Sequence, residues 1–187
     1  LFEYNPHLKF IFLVRNPIDR AYSQYNMLIN WRKSQLLHEY ELFPDKEKLN
    51  ILLKKLLDTQ NFPFSYWVNL EIEKIRNQEN TPIDFFPDFL HRGFYYEQLE
   101  RYYQFFPVEN ILVIEHRELK NNRISTLRKI EQFLNIPYVD WNAINLDDKL
   151  VSQYNVKLPS DIRNKLKAFF KPYNEKFYKL IKRNFDW

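Results

Sequence analysis

A chain of 187 residues with a formal net charge of +4 and a pI of about 9.0 has the length of one globular domain with a sizeable core, and its interspersed charges favour anionic ligands only weakly. The absence of cysteine excludes disulfides and thiolate chemistry, and the single glycine, Gly93, excludes a glycine-rich nucleotide loop within the chain. No apolar run approaches membrane-spanning length and no signal-peptide pattern is visible, while aromatics at 18% supply a core built from rings and leave tight left-handed turns to Asn and Asp.

Residues 9–14 read as a buried strand, apolar on both faces after Lys9. A helix follows at once: Asn16 suits the N-cap and Pro17 the first helical position, and Ile18, Ala21, Tyr22, Tyr25, Leu28 and Ile29 form a stripe that carries it to about Trp31. Residues 32–44 read as irregular. Asp45 is expected to cap a helix through about Leu57, with Leu49, Leu52, Leu53 and Leu56 on one face, and Ser65 to cap another bearing Trp67, Leu70, Ile72 and Ile75. Residues 77–87, with two prolines, read as a loop.

From Phe94 the pattern becomes regular. Tyr95, Leu99, Tyr102 and Phe106 stand at helical spacing, residues 107–110 make a turn, and residues 111–114 form a second buried strand. Ser125 is expected to cap a helix bearing Leu127, Ile130, Phe133 and Leu134 that ends before Pro137. Ser160 is expected to cap the last helical stretch, and Pro172 to kink or break it. The order strand, helical region, strand, helix predicts an α/β fold with a parallel sheet covered on both faces.

The most specific segment is residues 9–23. An apolar strand ends at Arg15, a helix opens with Asn16 and Pro17, and Ser23 follows two turns later, roughly 12 Å along the helix. The helix start offers free N–H groups and a partial positive charge, and Arg15 adds a forked cationic donor. The segment resembles the 3′-phosphate-binding segment of the sulfotransferases that use PAPS, 3′-phosphoadenosine 5′-phosphosulfate. There an apolar strand is followed by Arg-Asn-Pro, a variable pair and Arg-Ala-Tyr-Ser, matched here by Arg15-Asn16-Pro17 and Arg20-Ala21-Tyr22-Ser23. The resemblance extends, less specifically, through Arg92-Gly93-Phe94-Tyr95, Phe106-Pro107, the strand at 111–114 and Glu118-Leu119, and it fades over about 32–85.

The resemblance implies a single sulfotransferase domain over residues 1–187, with an α/β, P-loop-kinase-like fold and a central parallel sheet. It implies transfer of a sulfuryl group from PAPS to a hydroxyl or amine, leaving PAP, without a metal. Arg15 and Ser23 would hold the 3′-phosphate. From the residues themselves, Arg92 and Gly93 are further cofactor-side candidates, an arginine able to approach a phosphate or sulfate where a glycine permits close approach; the bland reading is a helix-boundary glycine beside a solvated arginine. His91 and His116 are the candidates for an acceptor base; the bland reading of each is a surface histidine in a polar loop. Glu115 and Glu118 read as structural. The family's glycine-containing 5′-phosphosulfate loop has no match, so the chain is expected to be the C-terminal two-thirds of such an enzyme, inactive alone. The acceptor, a small molecule or glycan, would be shaped by residues 32–85. Nucleic acid is not an expected partner, no metal-ligand spacing occurs, and the oligomeric state is open. Composition points to a bacterial cytoplasm rather than the Golgi lumen. The alternative is a non-catalytic module, either a basic polyanion binder or a degenerate sulfotransferase-like domain.

Overall fold

The computed structural model describes residues 3–30, 45–77, 87–144 and 157–187. In order they form strand β1 (Phe10–Val14), helices α1 (Pro17–Asn30), α2 (Lys46–Leu57) and α3 (Phe64–Arg76), a 3-10 turn (His91–Gly93), α4 (Tyr95–Tyr103), a second 3-10 turn (Val108–Asn110), β2 (Ile111–Glu115), α5 (His116–Asn121), α6 (Arg123–Leu134), a third turn (Trp141–Ala143) and α7 (Ser160–Ile181). The irregular stretch expected at 32–44 and most of the 77–87 loop lie outside the described residues. The chain divides into two compact units, one of Leu1–Asn16, Tyr95–Val151 and Pro172–Trp187, the other of Pro17–Phe94 and Ser152–Lys171.

In the first unit β1 and β2 pair in parallel, Phe10 opposite Ile111 and Val14 opposite Glu115. The parallel α/β arrangement is as the sequence predicts. The covered faces are not: Ile11 and Leu13 are 41% and 53% exposed. Strand residues alternate between faces, and the aromatic layer lies only on the side of Phe10 and Phe12. There Phe10 meets Phe106 at 4.6 Å and Phe12 meets Tyr102 at 4.9 Å, edge to face. Each such pair adds about 0.5–1.5 kcal/mol beyond its buried area. Tyr95, Leu99, Phe177 and Phe185 complete this core.

Glu115 and Glu118 tie the end of β2 to the chain's last residues. Glu118 accepts the Glu115 N–H at 3.1 Å and an Arg183 Nη2–H at 2.7 Å. Burial pushes its carboxyl pKa up, but these donors and the neighbouring Arg183 and Lys129 outweigh it and leave the pKa below the usual value. Trp187 Nε1 donates to Glu115 Oε1 at 2.7 Å. The structural reading of both acids is correct. In α6 the carboxylate of Glu131, with almost no exposure, accepts the Val139 N–H and Trp141 Nε1–H at 2.8 Å each, holding the segment after the helix.

The second unit packs α1, α2, α3, the His91–Gly93 turn and the first half of α7 around Ala21, Leu28, Leu56, Trp67, Phe89 and Phe170, none more than 1% exposed. Asp45 caps α2 as expected, its carboxylate accepting the Lys48 N–H at 2.8 Å.

Three serines expected as caps are not. α3 starts one residue earlier, at Phe64, with Pro63 at the N-cap and no side-chain cap bond, so Ser65 lies inside the first turn. α6 starts at Arg123, and Ser125 Oγ donates back to the Asn122 carbonyl at 2.9 Å. Ser160 is the first residue of α7, because the Pro159 carbonyl already accepts the Arg163 N–H at 3.0 Å. Pro172 does not break α7, which continues through it to Ile181. One backbone bond is lost there, but fully buried Leu166 and Phe170 before it and buried Phe177 after it anchor the helix on both sides. Among the described residues the left-handed positions fall at Asp88, Asn135 and Lys182, with φ of 60°, 57° and 53°, and two of these three are of the residue types expected.

Gly93 is needed for closeness rather than for positive φ, since no glycine has one. A Cβ there would stand 2.9 Å from Phe170 Cε1 and 2.9 Å from Pro17 Cβ. Both neighbours are buried rings without room to retreat. Gly93→Ala is expected to cost about 1–3 kcal/mol by overpacking, read as a lowered urea midpoint at unchanged m-value; an unshifted midpoint would show that the two rings yield.

Candidate functional site

In a parallel sheet, side chains that follow the carboxyl ends of the strands gather at one edge, where open α/β sheets place ligands. Val14 pairs with Glu115, so Arg15 and His116 each follow the carboxyl end of a paired strand in the first unit. Arg15 is half-buried, and its backbone is fixed by Tyr95, whose Oη donates to the Arg15 carbonyl at 2.8 Å. Tyr95 in turn packs against Phe177 and Trp187, at 5.6 and 5.8 Å between ring centroids. Among the described residues no ion pair or hydrogen bond engages the Arg15 guanidinium.

The second unit carries the other candidates. Ser23 is half-buried on α1, and α1 opens at Pro17 as expected, preceded by buried Asn16. His91 and Arg92 flank Asp88: Arg92 Nε donates to Asp88 Oδ2 at 3.2 Å, and His91 Nδ1 lies 3.7 Å from Oδ1. Gly93 is buried and serves packing. A cleft of about 370 Å³ in the same unit is lined by Tyr22, Tyr25, Phe64, Ser65, Asp161 and neighbours. Among the described residues no group of three or more His, Cys, Asp or Glu is arranged to hold a metal ion, and no helix is long and apolar enough to cross a membrane.

Sequence reasoning missed Glu71. Its carboxylate is fully buried, and Oε1 and Oε2 accept the N–H groups of Phe89 and Leu90 at 2.7 and 2.6 Å. Arg20, in the Arg-Ala-Tyr-Ser run, donates from Nη1 to Gln24 Oε1 at 2.9 Å and from Nη2 to the Phe89 carbonyl. Gln24 Nε2 donates to the Pro87 carbonyl at 3.1 Å. A signal was present: Glu71 stands four residues after Trp67, in the middle of an apolar stripe, where an acid needs an internal partner.

Comparison with known proteins follows the same line. The sulfotransferase domain family matches residues 3–145. Among curated proteins, the membrane-associated sulfotransferase kil1 of Dictyostelium discoideum is 25% identical over all of this chain and 49% of its own length. Human heparan sulfate glucosamine 3-O-sulfotransferase 5 is 23% identical over all of this chain and 51% of its own. The chain thus spans about half the length of these relatives. A sulfotransferase crystal structure from Alicyclobacillus acidocaldarius superposes with a TM-score of 0.60 over 98% of this chain and 58% of that one, at 23% identity, which establishes the fold.

Burial is the dominant influence on Glu71 and drives its pKa up to about 8, against the smaller opposing pull of the Phe89 and Leu90 amides. The native carboxyl then keeps a proton that the unfolded one, near 4.5, has lost. Its contribution to stability is full below the unfolded pKa and is lost as pH rises from about 4.5 to about 8. Unfolding free energies measured by urea across that window should fall with rising pH in the wild type. Glu71→Gln should be less stable throughout and show a shallower fall; an unchanged slope would refute the assignment.

Proposed function

The chain belongs to the sulfotransferase domain family, and on that premise we propose that it forms the adenosine 3′-phosphate-binding part of an enzyme transferring a sulfuryl group from PAPS to a hydroxyl or amine. The observation that carries the reading is Arg15: a half-buried arginine at the carboxyl edge of a parallel strand, backbone-locked by Tyr95, with its guanidinium unengaged among the described residues. It stands in the Arg-Asn-Pro run that the family uses for this phosphate, ahead of Ser23 on the following helix.

In this reading a guanidinium fork and a serine hydroxyl meet the phosphate oxygens, and the start of α1 adds its partial positive charge. PAPS, when bound, supplies the sulfuryl group and a phosphate leaving group. The chain's own residues fix the adenosine 3′-phosphate end and so place the donor, a contribution of positioning and charge rather than of covalent chemistry. Arg92 is a further anion donor whose Nε is already engaged by Asp88. His91 and His116 are the candidates for the base that takes the acceptor proton. The acceptor is a small molecule or glycan, and the cleft bounded by Tyr22, Phe64, Ser65 and Asp161 offers it ring faces, a hydroxyl and a carboxylate.

Calorimetric titration with PAP and with adenosine separates this reading from its alternatives. PAP should bind more tightly than adenosine, and Arg15→Ala should remove about 1.5–3 kcal/mol of that preference, on the order of tenfold or more in Kd. Equal binding of the two ligands, or binding that simply weakens steeply with salt for any polyanion, would overturn the 3′-phosphate assignment in favour of a basic polyanion-binding module.

A further inference from the structure

We propose that Arg20 and Glu71 are positioning residues, which clamp residues 87–90 so that the Ser23-bearing helix and the His91–Gly93 turn present a fixed set of donors to an anionic ligand. The proposal rests on the 3′-phosphate reading of Ser23. It deepens that reading by giving a role to the one cation of the Arg-Ala-Tyr-Ser run and to an acid outside it.

The backbone of residues 87–90 is gripped at four points. The Pro87 carbonyl accepts from Gln24 at 3.1 Å, the Phe89 carbonyl accepts from Arg20, and the Phe89 and Leu90 N–H groups donate to the two oxygens of Glu71 at 2.7 and 2.6 Å. Arg20 and Gln24, four residues apart on α1, are joined to each other at 2.9 Å. The clamp therefore reaches from α1, three residues before Ser23, to α3. Leu90, its last member, also carries the next turn, since its carbonyl accepts the Gly93 N–H at 2.8 Å. Asp88 lies inside the gripped segment in a left-handed conformation, and its carboxylate meets Arg92 Nε at 3.2 Å and His91 Nδ1 at 3.7 Å. Fixing four backbone groups thus fixes the charged pair that follows them.

An ordinary apolar turn would satisfy a core equally well. A buried carboxyl group that accepts two backbone N–H groups adds little net stability over apolar packing, but it holds the segment in one geometry. Here that geometry is the relation between Ser23's helix and the Arg92 side chain. Arg20 spends both Nη groups inside the protein, so its place in the run is explained without contact to a ligand.

The test is calorimetry of PAP and adenosine on the full chain for wild type, Arg20→Lys, Arg20→Ala and Glu71→Gln, with amide hydrogen exchange at Phe89 and Leu90. The lysine keeps the charge but lacks the planar fork whose two Nη groups reach Gln24 and Phe89. Arg20→Ala should weaken PAP about tenfold and leave adenosine within about twofold, Arg20→Lys should recover part of the loss, and Glu71→Gln should speed exchange of the two amides while weakening PAP in the same selective way. Should Glu71→Gln fail to fold, the arginine pair decides alone. Variants that fold and bind PAP as wild type does, or that lose PAP and adenosine in equal proportion, would overturn the positioning role. A wild type that fails to prefer PAP over adenosine would instead overturn the 3′-phosphate reading itself, and the clamp's ligand role with it.

Discussion

A carboxyl group set in the apolar stripe of a helix must find polar partners inside the protein, and that requirement at Glu71 organises the second unit. The nearest available donors are backbone amides, so Phe89 and Leu90 turn their N–H groups toward α3. With those groups committed, the neighbouring carbonyls of Pro87 and Phe89 face α1, where Gln24 and Arg20 take them. Asp88 absorbs the reversal by going left-handed at φ 60°, a conformation Asp tolerates better than most residues. Side-chain packing then follows the polar frame. Phe89 is fully buried against Tyr25 and Phe64, at 5.8 and 5.7 Å, and Ala21, with no exposure, lets α1 come close.

The first unit solves a different problem by different means. Two short parallel strands of five residues each cannot enclose a core, so α4 and the chain's C-terminal residues supply rings. Tyr95 joins the two functions: its ring belongs to the aromatic core, and its hydroxyl holds the backbone of Arg15. Trp187 does likewise at the other strand, stacking on Phe185 at 4.8 Å while its indole N–H reaches Glu115. Amphipathic rings suit this edge of a sheet because one end is apolar and the other carries a directional donor.

Elements whose signal lies within one turn of chain are the legible ones, though neighbouring residues compete for the cap, and bonds that depend on distant partners are not legible. Asp45 announces the start of α2 because a cap is a local bond, and the α1 stripe from Ile18 to Leu28 is visible because helical periodicity is local too. Ser65, Ser125 and Ser160 look like caps by the same rule, yet Pro63, Asn122 and Pro159 open those helices, since a proline or asparagine just upstream already has a suitable extended or turn conformation. Pro172 reads as a kink or a break when only its missing N–H is counted; the helix continues through it, so of the two the break does not occur. The candidate site divides the same way: Arg15 and Ser23 are proposed from one contiguous run, whereas the partnership of Arg20 with Phe89 spans 69 residues and that of Glu71 with Leu90 spans 19, beyond any local pattern. Tyr95 was legible as a core ring, but its bond to Arg15, 80 residues away, was not.

The single glycine sharpens what the proposed phosphate site must be. Phosphate loops rich in glycine bind through a nest of backbone N–H groups, which accept any phosphate the loop can wrap. Here the one glycine is committed to contact with Phe170 and Pro17, so the proposed grip falls to side chains and to the first turn of one helix. On the proposed reading the donors are a guanidinium fork, a hydroxyl and helix amides, and three terminal oxygens can accept more such bonds than two. A terminal phosphate monoester has three such oxygens and a second negative charge, while an internal diester has two and a single charge. On the proposed reading the motif therefore selects an adenosine that ends in a 3′-phosphate over the repeating diesters of a nucleic acid, although both are anions and the chain carries a net charge of +4.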